Sequence, residues 1–414
     1  MVGISIPMAF TVRLKRSAIF VSCFMLVFGS GFRTYSQDRG EDLACDALGS
    51  VNTNLDFKPK PEQTQFISFE PTYYGEMFTN AKGGKSTNDA TQYAGLLDLG
   101  LKLDLGQSAT DNPSFLYLLI QNSHGRGLTE DFVGDTQVVS NIDSFDNVMQ
   151  IGEYWWESQL LDDQMTLRLG KQDLNSEFQR IDQAEYFIQS TFGLSPSTAF
   201  PTYPDQAVGA VVLLRLHDSL QLKLGAWNAF VTEGIWGYSN NDAFLVVSEL
   251  EYTYTLTEQR LPATVAIGAL YESEGQIDGQ AVSTVREYYL QGEQVLYKPY
   301  PFDDASTRGL AFFGGYYPRF PGNQPVAKSI GDSAVAGFSY TGLHTSREHD
   351  VIGAGIAWSE LFQGGTNQEM ATELFYRAQW SSHLSLQPDI QYISSPSGIY
   401  KDAIAVGMRM ELRR

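Results

Sequence analysis

The sequence predicts an all-β fold, a transmembrane antiparallel β-barrel of about sixteen strands, or alternatively about eighteen, around a water-filled lumen. Residues 151–160 and 165–171 form two alternating runs that meet at Asp162-Asp163, with charge on one face and apolar bulk on the other. Similar short runs, separated by polar and Gly-rich turns, continue from about Gln65 to the C-terminus. Charged residues facing inward are rare in soluble sheets but usual in a membrane barrel, because its lumen is polar and its exterior is lipid.

The N-terminus has the pattern of a secretory signal. Basic residues between Arg13 and Arg16 precede an apolar run from Ser17 to Gly31, and Thr34-Tyr35-Ser36 offers small residues at a cleavage site. The apolar run is shorter than the ~18 residues that a spanning helix needs. We therefore expect cleavage after Ser36 and export to the bacterial outer membrane. The predicted organisation is a signal peptide at 1–36, an N-terminal periplasmic segment at 37–64 and an outer-membrane barrel at 65–414.

The charge of the chain limits its partners. The full sequence has 28 basic and 48 acidic side chains, a formal net charge of -20. Nucleic acid is excluded as a partner, because phosphate binding needs clustered Lys and Arg that this chain lacks. Neutral or cationic solutes fit the acidic chain better.

The alternating runs follow one another without a linker, which favours one continuous domain, and most approach the nine to eleven residues of a tilted membrane strand. The segment Val282 to Gln291 is a weaker candidate. The other predicted strands, in chain order, are Phe66 to Phe78, Tyr93 to Leu105, Phe115 to Asn122, Val148 to Leu160, Met165 to Lys171, Val208 to Leu216, Leu220 to Trp227, Phe244 to Leu256, Ala263 to Tyr271, Leu310 to Tyr317, Ala334 to Gly342, Val351 to Glu360, Thr372 to Trp380, Leu384 to Ile393 and Ala403 to Leu412.

The last strand shows the two-sided pattern most clearly. Its even positions from Ile404 to Leu412 are apolar, whereas Arg409 and Glu411 lie on the other face. In the first hairpin, Tyr154 and Trp156 fit an aromatic girdle at the membrane interface. A soluble β-sandwich or β-helix also alternates, but the mixture of charged and aromatic residues on many strands favours the membrane barrel.

Several short blocks, in order along one chain, resemble the carbohydrate-selective porins of the OprB family over most of the mature sequence. The blocks are Glu153, Trp155 and Glu157 followed by Gly170-Lys171, Asp173 and Glu177-Phe178; Ser190-Thr191-Phe192-Gly193; Pro201-Thr202-Tyr203-Pro204; Gly342-Leu343 with Arg347 and Asp350-Val351-Ile352-Gly353; and Leu386-Gln387-Pro388-Asp389-Ile390-Gln391-Tyr392.

The resemblance implies an outer-membrane porin that admits small, glucose-like sugars by facilitated diffusion through a constricted pore. Sugar hydroxyls both donate and accept hydrogen bonds, so a lining with cations and carboxylates suits them, and aromatic rings suit the sugar faces. Many weak contacts also suit conduction, since a solute must leave as readily as it arrives. The predicted pore-lining residues are Glu153, Trp155, Glu157, Arg168, Glu177, Arg180, Arg215, Lys223 and Trp227, with Glu373 and Arg377 as weaker candidates.

Other interpretations of these residues and of the chain also fit the sequence. Each of these side chains also fits an ordinary lumen wall or an ion pair that holds the barrel. The chain also fits a general or cation-preferring porin, or a barrel plugged by its own loops that acts as a receptor or structural protein. The expected partners are sugars as solutes, outer-membrane lipid and the barrel assembly machinery, and a homo-oligomer is compatible with the sequence. Two features depart from the family, the terminal Arg413-Arg414 and the short turn Gln107 to Pro113.

Enzymatic interpretations fit poorly. The run Gly83-Gly84-Lys85-Ser86-Thr87 resembles the end of a phosphate-binding loop, but Thr79 stands where its first glycine belongs and no helical pattern follows. The histidines form no metal-binding pair at helical spacing. Glu153 and Glu157 are about 13 Å apart along a strand, beyond the spacing of a glycosidase pair. The sequence therefore predicts no enzyme, no cofactor and no metal.

Overall fold

The structure is a computed structural model. The predicted signal peptide and the segment 37–64 lie outside the residues it describes, so both remain predictions. The described residues are 66–106, 112–198, 201–229, 236–238, 243–256, 260–277, 280–282, 284–300, 306–321, 330–362 and 366–414.

Sixteen antiparallel strands form the wall in the described part of the chain. They are β1 (Ile67–Gly84), β2 (Thr91–Asp104), β3 (Ser114–Gly125), β4 (Val148–Leu160), β5 (Met165–Gln172), β6 (Ala207–His217), β7 (Leu220–Asn228), β8 (Phe244–Leu256), β9 (Leu261–Glu272), β10 (Val285–Tyr297), β11 (Gly309–Tyr317), β12 (Ile330–Thr341), β13 (Val351–Leu361), β14 (Gln368–Ser381), β15 (Leu384–Ser394) and β16 (Lys401–Arg413).

Each strand pairs with its neighbours in sequence, and β1 closes the barrel by pairing with β16, from Thr72↔Arg413 to Gly84↔Lys401. A three-residue segment, Arg319–Pro321, continues β11 beyond Pro318 and pairs with the same neighbour, β10, so it adds no further wall strand. The weak candidate at 282–291 corresponds to β10. The predicted count and the closed antiparallel barrel are confirmed.

The two faces of the wall have the predicted chemistry. On β16, Val406 and Met408 are 43% and 45% exposed on the outside, whereas Arg409 and Glu411 are buried on the inside. Tyr154 and Trp156 on β4 alternate with the buried Glu153, Trp155 and Glu157, and therefore point outward. Burying apolar side chains in lipid while charges face the lumen fixes the register, because a slip by one residue would exchange the faces.

The two ends of the barrel differ in the length of their connections. Residues 126–147, 173–206 and 229–243 are long connections at one end, whereas 161–164, 218–219 and 382–383 are tight turns at the other. Outer-membrane barrels have short periplasmic turns and longer extracellular loops. The long connections therefore mark the extracellular end. The first hairpin turn ends β1 with Gly83 and Gly84 at φ 69° and 62°, a left-handed backbone that glycine adopts without strain.

Among the described residues, the structure has no helix with the length and apolar character needed to cross a membrane. A small hairpin, Gly275–Ile277 paired with Gln280–Val282, extends the connection between β9 and β10.

Candidate functional site

Two extracellular connections fold into the lumen. We call residues 126–147 the first inward loop and residues 173–206, of which 199 and 200 lie outside the described chain, the second inward loop. They bond to each other through Asn141 N to Ile188 O at 2.9 Å and Ser190 N to Val138 O at 3.1 Å. They therefore form one layer across the barrel.

One side of this layer is apolar. Phe187 and Phe192 of the second inward loop stack with ring centroids 4.2 Å apart, and Phe187 meets the wall residues Phe313 and Phe375 edge-on at 5.3 and 5.0 Å. All four rings are buried. Gly355 of β13 makes room for them, because a Cβ there would lie only 2.7–2.9 Å from Phe187 and Phe192. The lumen is thus packed like a protein core on this side.

Buried wall carboxylates hold the first inward loop. Glu369 of β14 accepts the backbone N–H groups of Thr136 and Gln137, each at 2.8 Å, and of Ser397 at 2.6 Å. Glu76 of β1 accepts the Ser140 hydroxyl at 2.7 Å. Hydrogen bonds to an ionised acceptor are stronger than neutral ones, so these contacts fix the loop backbone in place.

The second inward loop is held in the same way, by carboxylates of β14 and β10. Glu373 of β14 accepts the N–H groups of Ile188 and Gln189 at 2.7 and 2.8 Å. Glu293 of β10 accepts that of Gln183 at 2.8 Å. The carboxylates therefore satisfy backbone donors that would otherwise be unpaired inside the barrel.

The other side of the second inward loop carries a polar network. The Arg168 guanidinium of β5 donates from Nε to Glu157 at 2.8 Å and from Nη2 to Glu177 at 2.9 Å. It also lies over the Trp155 ring, 4.3 Å from its centroid, and the Trp155 indole N–H donates to Glu153 at 2.8 Å. The cross-strand register Glu157↔Arg168 places the ion pair. Five of the predicted lining residues are thereby in direct contact.

Lys223 of β7 extends this network. Its Nζ donates to the Glu177 carbonyl at 3.2 Å and forms ion pairs with Glu249 and Glu251 at 2.9 and 2.7 Å. Glu249 in turn accepts the N–H of Gln179 at 3.1 Å. A chain of charge-assisted contacts thus joins the wall strands β4 to β8 to the loop.

Below the second inward loop lies a pocket, which we call the lumen pocket. Its charged residues are Glu177, Arg180, Asp182, Lys223, Glu251 and Glu293, and its other lining residues are Ser176, Ile181, Gln221, Thr264, Ala266, Gln291 and Gly292. The lining contains four carboxylates and two cations, which offer acceptors and donors side by side.

The other predicted residues are distributed unevenly. Arg180 lines the lumen pocket and pairs with Asp182 at 2.8 Å. Trp227 is 3% exposed and packs edge-on against Phe178, with ring centroids 5.7 Å apart, so its face lies in the apolar part of the lumen. Arg215 is exposed on β6 near the periplasmic turn, away from the network. Arg377 pairs with Glu411 at 2.7 Å and stacks on Tyr186.

A narrowed barrel with a charged lumen is compatible with several families of outer-membrane proteins, and the comparison of sequences decides between them. The family described as "Carbohydrate-selective porin, OprB family" matches residues 88–413. The chain belongs to this family. It is therefore an outer-membrane porin of the carbohydrate-selective class, and porins are channels rather than enzymes.

Two porins and one solved porin structure align over most of this chain. "Putative porin QuiX" of Acinetobacter baylyi is 22% identical over 403 residues, covering 84% of this chain and 90% of that protein. "Porin B" of Pseudomonas aeruginosa is 20% identical, with 83% and 86% covered. The high-pH structure of Pseudomonas putida OprB has a TM-score of 0.72 at 18% identity and covers 84% of this chain and 94% of that one. At this identity the structural likeness shows the fold.

The OprB-like blocks of the sequence turn out to build the loop layer. Asp173 closes the second inward loop by accepting the Thr202 hydroxyl at 3.1 Å and the Tyr203 N–H at 2.8 Å. In the block from Leu386 to Tyr392, Gln387 donates to the Tyr186 carbonyl at 2.7 Å and Gln391 to the Val139 carbonyl at 2.9 Å. One wall strand therefore holds both inward loops.

The block that contains Gly342-Leu343, Arg347 and Asp350 lies at the periplasmic end of the barrel and has a different role. Asp350 accepts from Arg347 Nε at 2.8 Å, from the backbone N–H of Gln379 at 2.9 Å and from the Tyr376 hydroxyl. These bonds fasten the turn between β12 and β13 to β14. The other short turn noted in the sequence, Gln107 to Pro113, falls largely outside the described residues; the segments that narrow the lumen are the two inward loops.

Sequence reasoning did not select most of the wall carboxylates. Glu249, Glu287, Glu293 and Glu369 alternate with outward residues on their strands, and this alternation is a signal that places them in the lumen. The sequence did not indicate that these carboxylates bond to the inward loops, because their partners lie far away in the chain. Glu287, for example, accepts from Gln179 at 2.7 Å across 108 residues.

Two carboxyl groups of the second inward loop have raised pKa values. Burial raises the pKa of Glu185, in the second inward loop, from 4.5 to about 8, and the nearby Asp182 carboxylate adds to the effect. Burial likewise raises the pKa of Asp205 to about 6, although Lys171 opposes the shift. The loop layer thus contains groups that change charge near neutral pH.

Proposed function

We propose that the chain is a sugar porin that passes glucose-like monosaccharides by facilitated diffusion, with the lumen pocket as the selective part of the path. The observation that carries the proposal is the mixed lining of this pocket, in which Arg180 and Lys223 donate while Glu251 and Glu293 accept. A sugar ring presents hydroxyls that do both around its edge. The loop layer fixes these groups in position, so the solute does not have to order them.

The aromatic contribution differs from the sequence-based expectation. The face of Trp155 is covered by the Arg168 guanidinium, and Trp227 packs against Phe178. The described lining residues of the lumen pocket include no aromatic ring. In our proposal the pocket therefore recognises hydroxyl groups, and Trp155 acts by holding Arg168 in place.

A cation preference is the second candidate, favoured by four carboxylates against two cations in the pocket. It is compatible with sugar passage, because a neutral sugar has no net charge to be repelled. We expect anionic solutes of similar size to pass more slowly. We also propose that the segment 1–36 is a signal peptide that is cleaved on export, which N-terminal sequencing of the mature protein tests.

Liposome swelling with the refolded barrel tests the proposal. Glucose, a disaccharide and a zwitterionic amino acid are compared at matched osmolarity, and we expect fast uptake of glucose and slow uptake of the other two. Arg180→Gln and Glu251→Gln should slow glucose uptake, whereas Arg126→Gln should not, since Arg126 pairs with Asp131 in an exposed part of the loop. Equal rates for all three solutes would indicate a general porin. No swelling from folded protein would indicate a plugged barrel.

A further inference from the structure

The outer surface of the barrel has an unusual cation. Arg286 is exposed on β10, and its neighbours Val285 and Glu287 are 4% and 1% exposed in the lumen. Strand alternation therefore points the guanidinium away from the lumen, toward lipid. In the described part of the chain Arg286 forms no ion pair. Asp332 is an outward carboxylate on the same side of the barrel, but it accepts the Tyr316 hydroxyl at 2.8 Å and does not pair with Arg286.

Arg286 lies at the extracellular end of the wall. It is the second residue of β10, which follows the long connection 273–284, and it pairs with Tyr271 on one side and Phe320 on the other. Phe320 is 56% exposed and stacks edge-on with Tyr288, with centroids 5.8 Å apart. Aromatic rings of this kind mark the interface between the bilayer and water. The guanidinium is therefore at the height of the outer-leaflet headgroups.

A shallow depression adjoins Arg286 on the lipid side. Two small outward residues, Ser248 and Ala269, line it and are paired across β8 and β9. Val246, Tyr271, Tyr288 and Arg286 also line it. The depression is largely apolar and extends from the headgroup level toward the membrane interior, which suits an alkyl chain attached to an anionic headgroup.

We propose that this surface binds lipid A of the outer leaflet, with one acyl chain in the depression and a phosphate on Arg286. Charge complementarity selects the headgroup, because a guanidinium binds phosphate through paired N–H groups. In the described chain the hydroxyls of Tyr271 and Tyr288 have no protein hydrogen-bond partner and are further donors beside the cation.

Native mass spectrometry of the detergent-purified barrel tests the site with three probes: lipid A, lipid A without its phosphates, and inorganic phosphate. We expect lipid A to be retained, and Arg286→Gln to weaken its retention at least about tenfold, as one charge-assisted hydrogen bond does. Ala269→Leu fills the depression and should also weaken retention. Arg126→Gln, the same substitution at the same end of the barrel, should not.

Three outcomes would overturn the proposal. Equal retention of lipid A by wild type and Arg286→Gln would show that Arg286 does not bind the headgroup. Equal retention of lipid A with and without phosphates would show a nonspecific apolar surface. Binding of inorganic phosphate as strong as that of lipid A, unaffected by Ala269→Leu, would show an ion site. Heat-modifiable mobility of each variant in gels confirms that it is folded.

Discussion

The two sides of the second inward loop differ in how they are held. Toward β11 and β14 the loop is packed, with Phe187 and Phe192 against Phe313 and Phe375. Toward β4 to β8 it is charged, with Glu177 bonded to Arg168 and its backbone bonded to Lys223. The packed side presents a cluster of buried phenyl rings, whereas the charged side borders the lumen pocket. We infer from this difference that apolar packing immobilises the loop, so that its charged side has a fixed geometry.

Removing a ring from the packed side should have the largest effect. Phe192→Ala deletes a buried phenyl group, and such a change costs about 3 to 5 kcal/mol. We expect the loop to loosen, single-channel conductance to rise and the disaccharide to enter liposomes. Phe338→Ala is the control, because this ring is 48% exposed on the lipid face of β12. Unchanged conductance in Phe192→Ala would mean that packing does not hold the loop.

Breaking the charged side should have the next largest effect. Arg168→Gln removes the buried guanidinium that pairs with Glu157 and Glu177, and breaking a buried ion pair costs about 3 kcal/mol or more. It also removes a cation, so the reversal potential in a salt gradient should shift toward cation selectivity. Arg168→Lys should restore charge without restoring both bonds, because an ammonium lacks the planar fork. A full rescue by lysine would contradict the role of this geometry.

Two substitutions with smaller expected effects test the two inward loops one at a time. Gln387→Ala removes one neutral hydrogen bond to the second inward loop, and Gln391→Ala removes one to the first. Each bond is worth about 1 kcal/mol. We expect more frequent current fluctuations from Gln387→Ala, whose loop borders the pocket, than from Gln391→Ala. The reverse order would indicate that the first inward loop is the part that limits the channel.

The smallest effect is a dependence on pH. Glu185 has a pKa raised to about 8 by burial, so it is neutral at pH 7 and negative at pH 9. Cation selectivity should therefore rise as pH passes through this range. The folded loop holds the proton more tightly than the unfolded chain, so loop stability should fall as pH rises from about 4.5 to about 8. Selectivity measured at pH 7 and 9 checks this. In Glu185→Gln the change in selectivity between these two pH values should be smaller than in the wild type.

The sequence was sufficient for the wall and insufficient for the loop layer. Alternation at Ile404 to Leu412 and in the hairpin at 148–172 depends on neighbouring residues, so the barrel and its strand count followed from local pattern. The register that pairs Glu157 with Arg168 was found only in the structure. The contacts of Glu369 with Thr136 and of Glu373 with Ile188 join residues 233 and 185 positions apart. No local pattern specifies them, because they depend on how the loops fold inside the closed barrel.

Trp227 illustrates the same limit. Its inward position on β7 was predicted from alternation, and it does face the lumen. Its neighbour there is Phe178 of the second inward loop, however, so the ring is covered. Alternation identifies the face of a side chain but not what lies on that face. Sequence analysis therefore overestimated how much of the lumen is open to a solute.

The most direct test of sugar passage through a fixed, charged pocket is a glucose titration of single-channel current in a planar bilayer. We predict a saturable fall in current with glucose, beyond the effect of solution viscosity, because a bound sugar displaces ions from the lumen pocket. The fall should be weaker in Arg180→Gln. A current that follows viscosity alone in both proteins would contradict our account.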